Sequence, residues 1–344
     1  MEVTYSSSSI PFVFQMIKKK KKNDLSYEEA YRFFSHIDYQ NEFKRYQGRL
    51  TLCEFIDYFL NFENLNLHQI KNEDLREHHI YWLDLYQNIQ VYEKAYNSIL
   101  KELTALSNFD QLYQSFPSYF IYPKCNVVFT CGIGTSFGFP FEDKVFFDFL
   151  QLIKNKEYIS FSTTLNHELH HIIFASNVHR NTSNLEAYFL RSFASEGLAI
   201  KFIHNAQGVL SKSLDSKARV NSDLDAFSMQ YLNDHFYETL DVFLQTIHDI
   251  RNHKINSIDE IDELKRSYWL NRYVEGQSKE EVPKLRQSRL YSFGNEFWGT
   301  LYDEYGLDEV YKMVNDPKDS FDRIMTILRS KNISTIPGNE KKSL

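Results

Sequence analysis

The sequence predicts a predominantly helical α+β fold, and three observations carry that prediction. Across residues 25–116, apolar side chains recur at helical spacing among many charged ones, as in Phe55, Tyr58, Phe59 and Phe62, and Pro and Gly are nearly absent. Between residues 119 and 150 the texture changes to two β-rich runs, 126–131 and 145–149, which suit a small sheet. Two further helical patterns follow at 162–176 and 184–205, joined by the polar connection 177–183.

The bulk numbers frame this reading. With 344 residues, 42% of them hydrophobic and 16% aromatic, the chain can bury a sizeable core. Its 39 basic and 46 acidic side chains give a formal charge of -7, and no basic stripe interleaved with aromatics occurs, which argues against a nucleic-acid partner. Cys53, Cys125 and Cys131 form neither an even framework nor a CxxC pair, so free thiols in a reducing compartment are expected, with a Cys125–Cys131 pairing across facing strands as the minor alternative. The apolar stretch 10–17 precedes the lysine run 18–22, the reverse of a secretory signal, and no apolar stretch approaches the ~20 residues of a membrane span. A cytoplasmic location with no membrane span is the expectation.

Element by element, residues 1–24 read as a flexible tail ending in solvated lysines, and 25–116 as a helical N-terminal region. Residues 117–206 form the core that carries the chemistry. Within it, the segment Gly132-Ile133-Gly134-Thr135-Ser136-Phe137-Gly138 has neither a GK[ST] ending nor a helix directly after it, so it is no phosphate loop. It reads equally as a strand edge open to another backbone or as an ordinary connection. Ser183-Asn184-Leu185-Glu186 reads as a capping box that starts the second helix and occupies Glu186. Residues 207–335 form a helical C-terminal region that completes the cleft, with 276–283 as a polar hinge or surface loop. A last helix pair, 289–305 and 307–315, is punctuated by Gly306 and stopped at Asp316-Pro317, and 336–344 are a tail.

His167-Glu168-Leu169-His170-His171 contains HExxH. At ~100° per residue the two outer imidazoles fall about 40° apart on one helix face and can share one ion, while Leu165, Leu169, Ile172 and Ile173 gather on the other side. The alternative is an amphipathic surface helix that carries histidines by chance. His170, off that face, reads as a residue behind the ligands or on the surface. Glu168 follows the first ligand, so its carboxylate can reach a water at the metal rather than the metal itself.

Catalytic zinc sites usually take three protein ligands. The HExxHxxGxxH solution fails, because Phe174 and Asn177 stand where its glycine and third histidine would be. A glutamate on the following helix is the other common solution, and Glu186 and Glu196 are the candidates, with His179 a lesser one. Glu196 sits among Phe189, Phe193, Ala199, Ile200 and Ile203 in an apolar stripe, where a carboxylate should be buried and in need of a cation. Gly197 beside it allows a neighbouring helix to come close.

HELHH followed by Ser195-Glu196-Gly197-Leu198-Ala199 resembles the gluzincin clan of metallopeptidases, in particular a group of poorly characterised bacterial zinc-dependent peptidases with an HExxH helix and an EG-x-A second helix. The resemblance spans about 127–321 and includes a glycine-containing strand region, here 127–138, and a late Y-x-x-G helix start, here Tyr291-Ser292-Phe293-Gly294. It implies a zincin-like core in which the HExxH helix packs against the ligand-bearing helix, with one zinc ion per chain on His167, His171 and Glu196. Well-known gluzincins place an acidic residue four positions after the ligand glutamate, where this chain has Ile200, so the partner that would orient a histidine is not defined.

The chemistry implied is hydrolysis of a peptide or protein substrate, with Glu168 as general base and then proton donor to the leaving amine. Tyr291 is the candidate donor to the developing oxyanion, from the resemblance and its place at a helix start, although with 23 tyrosines it can equally be a packing aromatic. Two other readings compete: a catalytically inactive peptidase-like binding or regulatory protein, and a non-haem iron carboxylate protein, for which the required second ExxH is missing.

Overall fold

The computed structural model describes residues 1–46, 48–106, 108–156, 158–178, 184–214, 224–273 and 285–333. In chain order the first elements are β1 (Val3–Ser6), α1 (Ile10–Lys21), α2 (Tyr27–Phe34), α3 (Ile37–Arg45), α4 (Leu52–Asn61), α5 (Glu73–Leu106), kinked at Asn88, and α6 (Asp110–Gln114). The middle of the chain forms β2 (Cys125–Thr130), β3 (Gly138–Phe141), β4 (Lys144–Asp148), α7 (Phe149–Asn155), α8 (Tyr158–Asn177), α9 (Leu185–Ser192) and α10 (Ala194–Ile203). After these come α11 (Ala226–Asp234), α12 (Phe236–Arg251), α13 (Ile258–Leu264), α14 (Arg289–Gly294), α15 (Thr300–Tyr305), α16 (Leu307–Asn315) and α17 (Ser320–Ser330). The fold is thus predominantly helical α+β with one small sheet. Its residues group into two compact units, Met1–Asn108 with Tyr122–Ile172, and Phe109–Ile121 with Ile173–Leu344.

In the first unit the sheet order is β1-β2-β4-β3, with β1, β2 and β4 parallel and β3 antiparallel to β4. β2 and β4 are buried on both faces, which explains their unbroken apolar runs Val127-Val128-Phe129 and Val145-Phe146-Phe147. On one face Phe139 and Phe146 stack at 5.1 Å, and on the other Phe129 and Phe147 receive Phe161 of α8 at 5.7 and 4.8 Å. That second contact seats α8 on the sheet. Behind it Phe34, Phe55, Phe59, Phe62 and Trp82 form a fully buried aromatic core with edge-on contacts such as Phe34–Phe55 at 4.8 Å and Phe59–Trp82 at 5.2 Å. Capping boxes Ser26/Glu29 and Thr51/Glu54 start α2 and α4.

β3 lies at a sheet edge. The Asp148 N–H donates to the Phe137 carbonyl at 2.9 Å, so by antiparallel alternation Phe139 and Phe141 also bond inward to β4. Gly138 and Pro140 then turn their backbone groups to the free side, where a proline, lacking an N–H, is tolerated. The glycine segment between β2 and β3 is closely packed. A Cβ at Gly134 would lie 2.2 Å from the Tyr46 hydroxyl, and one at Gly132 would lie 2.6 Å from the Asp148 carboxyl carbon.

Several expectations change. Residues 1–24 are not a flexible tail: they supply β1 and α1, and the lysine run finds partners. Lys20 is buried, bonds the Leu60 carbonyl and pairs with Glu63 at 2.7 Å, while Lys18 and Lys19 pair with Glu93 and Glu29. β1 escapes a sequence reading because it is four residues long and pairs with a strand more than a hundred residues away. Cys125 and Cys131 bracket one strand rather than facing each other, and all three cysteines are free thiols. The helical pattern 184–205 is two helices, α9 and α10, that meet at Phe193. Asn184, not Ser183, is the N-cap, its side chain accepting from the Ala187 N–H at 3.1 Å; Ser183 and the loop 276–283 lie outside the described residues. The helix 289–305 contains a π-helical turn at Asn295–Gly299 that separates α14 from α15.

Candidate metal centre

α8 runs for twenty residues without a Gly or Pro. Phe161, Leu165, Leu169 and Ile173 are fully buried on one side, and Thr164, His167, Glu168 and His171 share the opposite face at i, i+3, i+4 and i+7 spacing. His167 is buried, and Glu168 and His171 are half-buried. The His167 and His171 Nε2 atoms stand 3.0 Å apart, with the rings edge to face at 4.7 Å. His170 is fully buried, so it is not a surface residue. Gly138 crosses the same face, since a Cβ built on it would meet Thr164 Cγ2 at 3.4 Å.

Glu196 stands in the first turn of α10, half-buried rather than enclosed, although Phe193, Ala199, Ile200 and Ile203 around it are buried. Gly197 brings α10 against α14: a Cβ there would sit 2.2 Å from the Gly294 carbonyl carbon. Farther along α10, buried Lys201 pairs with Asp303 at 2.7 Å and donates to Ser211 Oγ at 3.0 Å. Burial lowers the Lys201 pKa, and the Asp303 hydrogen bond opposes that. Glu296, in the π-helical turn, accepts from the N–H groups of Val209, Leu210 and Ser211, and burial raises its pKa. These charged anchors escaped the sequence reading, although a lone lysine in Leu198-Ala199-Ile200-Lys201-Phe202-Ile203 and a lone glutamate in Phe293-Gly294-Asn295-Glu296-Phe297-Trp298 were visible signals.

His167, His171 and Glu196 each offer a ligand atom within 4.8 Å of the others, and they are the one such group of His, Cys, Asp or Glu among the described residues. The donor set suits zinc. Two Zn–N bonds of ~2.0–2.1 Å over the 3.0 Å separation subtend roughly 95°, within the range of four-coordinate sites. Two imidazoles and a carboxylate leave the fourth position open.

The other ligand candidates fall elsewhere. Glu186 makes a two-pronged ion pair with Arg251 at 2.7 and 2.6 Å, so its work is structural, though not as a cap. His179 lies outside the described residues. Asn177, in the place of a third histidine, bonds both backbone groups of Ile121 at 2.7 and 2.8 Å. Tyr291, in the first turn of α14, packs against Ile200, Ala206 and Leu224.

A predominantly helical α+β fold that brings two helix-borne histidines and a glutamate within reach of one ion has the form of a zinc hydrolase. The chain belongs to the family described as "Putative zinc dependent peptidase (DUF5700)", which matches residues 15–323. No curated protein and no solved structure matches it. Among the described residues no helix is long and apolar enough to cross a membrane.

Proposed function

We propose that the protein is a gluzincin-like zinc peptidase that binds one zinc ion through His167, His171 and Glu196 and uses Glu168 as general base. The observation that carries this reading is the grouping of those three ligand atoms within 4.8 Å, in a chain of a zinc-peptidase family. Zinc at this position would supply a Lewis acid and ease the ionisation of a water. Glu168 lies on the ligand face of α8 without belonging to the ligand set, so it takes the proton of the attacking water and returns it to the leaving amine. The Tyr291 hydroxyl is the proposed donor to the oxyanion.

The edge of β3, which pairs with no further strand among the described residues, supports a peptide as the substrate. Gly138 offers an N–H and a C=O beside Thr164, which shares its helix face with His167 and Glu168, and Pro140 offers a further C=O two residues along the same edge. An extended chain can add there as a further strand. The test is Glu168→Gln on the zinc-loaded full chain against a mixed peptide library, with metal content measured alongside. The variant should keep about one zinc and lose cleavage; cleavage at the wild-type rate, or iron as the bound metal, would overturn the reading.

A further inference from the structure

The segment that leads into β3 is held by two buried carboxylates. Asp148 Oδ1 accepts from the Gly132 N–H at 2.9 Å and, as the N-cap of α7, from the Leu150 N–H at 2.9 Å. Its Oδ2 meets His78 Nε2 at 2.5 Å and Gln151 Nε2 at 2.9 Å, so its charge is well supported. Glu42 of α3 grips the next peptide, with Oε2 accepting from the Ile133 N–H at 3.2 Å and Oε1 in contact with the Thr130 hydroxyl. Tyr46, the C-cap of α3, packs against Gly134, where a Cβ would meet its hydroxyl at 2.2 Å.

Glu42 has no such support. It is 3% exposed, and among the described residues none of its hydrogen bonds or ion pairs comes from a cation. The groups that face it are the carboxyls of Asp148 at the end of β4 and Asp38 on its own helix, the Cys131 thiol after β2, and the Tyr39 and Tyr46 phenols of α3. Each of these becomes negative, never positive, as it loses a proton. Lys144 and His36 are engaged with Asp38, and His78 with Asp148. Glu42 therefore fits as a neutral carboxyl, one oxygen accepting from the Ile133 N–H and the other hydrogen-bonded to the Thr130 hydroxyl.

We propose that Glu42, acting against Asp148, is a positioning residue that fixes β3 over the Thr164 face of α8, and that it releases this edge when its carboxyl ionises. The proposal adds a pH-controlled latch to the peptide-docking edge, and its importance for catalysis rests on the peptidase reading. Burial pushes the Glu42 pKa up to about 8, so release is expected to grow as pH rises from the ordinary 4.5 and to be complete near 8. Ionisation would place a second charge beside Asp148 in a buried site, so the charged carboxylate gains by opening to water and takes the Ile133 peptide with it.

The experiment is amide hydrogen exchange on the metal-free full chain from pH 6 to 10, corrected for intrinsic exchange, in wild type and Glu42→Gln. Glutamine preserves the neutral pattern, its carbonyl serving Ile133 and its NH2 serving Thr130. In the wild type, opening of residues 133–141 should rise by up to about tenfold per pH unit between pH 6 and 8, the one-proton limit, and level off above, while Val127 to Phe129 in β2 hold. In the variant the same segment should stay closed. Identical pH courses in the two proteins would overturn the proposal, as would a wild-type loss spread evenly over β2 and the segment, a result readable without the variant. Neither measurement needs substrate or zinc, so failure of the latch and failure of the peptidase reading remain distinct.

Discussion

Replacing Gly197 by alanine should weaken the fold even though helix propensity argues the opposite. Glycine inside a helix costs roughly 1 kcal/mol relative to alanine, so on local grounds the change is stabilising. The contact with α14 decides the sign. A Cβ at 197 would lie 2.2, 2.3 and 2.6 Å from the carbonyl carbon, oxygen and Cα of Gly294, all backbone atoms that no rotamer change can move. Ordinary contact starts at 3.4 Å, so α10 and α14 must separate by about 1.2 Å (3.4 − 2.2). Overpacking costs about 1–3 kcal/mol, and a clash with backbone atoms belongs to the upper part of that range, about 2–3, which leaves a net loss of roughly 1–2 kcal/mol after the propensity gain. Glu196 is the preceding residue and Tyr291 lies one turn before Gly294, so zinc affinity should fall as well. Urea unfolding of the metal-free protein measures the first effect and a zinc competition titration the second. Gly294→Ala, whose Cβ would meet the Phe193 carbonyl oxygen at 2.6 Å, should act on the same contact, and the two changes should be non-additive. A Gly197→Ala protein as stable as wild type with unchanged zinc affinity would refute the close-packing argument.

Three further outcomes are expected. Glu196→Gln should lower zinc affinity at least tenfold in competition titration, whereas Glu186→Gln should leave it unchanged and cost at most about 1 kcal/mol of stability through the partly exposed Arg251 pair. Lys201→Met should destabilise by roughly 3–5 kcal/mol, because Asp303 loses its buried counter-charge, and Lys201→Met/Asp303→Asn should recover much of that in thermal unfolding. Glu42, with its folded-state pKa raised to about 8, contributes stability that is complete below the ordinary 4.5 and is lost as pH rises toward 8. At about 1.4 kcal/mol per pH unit the loss has an upper bound of roughly 5 kcal/mol, so the stability advantage of Glu42→Gln should grow between pH 5 and 8, and parallel pH profiles would refute the assignment.

How much of this was legible in the sequence depended on the range of the interactions involved. α8 and the central strands β2 and β4 announce themselves through local periodicity, because each buries a face or a whole run of its own residues. β1 does not, since Val3–Ser6 becomes a strand only through pairing with Cys125–Val128. The lysine run looked solvated for the same reason. Nothing near Lys20 in sequence discloses the Leu60 carbonyl or Glu63 that receive it, and they are supplied by the last turn of α4 and the turn after it. The break at Phe193 is equally silent, because Phe189, Phe193 and Trp269 pack edge to face there at 5.1 and 4.7 Å and tertiary packing overrides a continuous helical pattern.

The two second-helix carboxylates show where local reasoning succeeds and where it stops. Ranking Glu196 above Glu186 used the apolar residues around Glu196 and a cap for Glu186, and the structure changes both reasons. Glu186 is engaged by Arg251, 65 positions away, and the cap belongs to Asn184. Glu196 is only half-buried, so desolvation alone does not call for a cation. What sets it apart is placement: Gly197 locks the start of α10 against Gly294, and the Glu196 carboxylate comes within 4.8 Å of both imidazoles. A glycine next to a ligand glutamate is therefore better understood as fixing the ligand's position than as making room around it, and that role is open to test by a single methyl group.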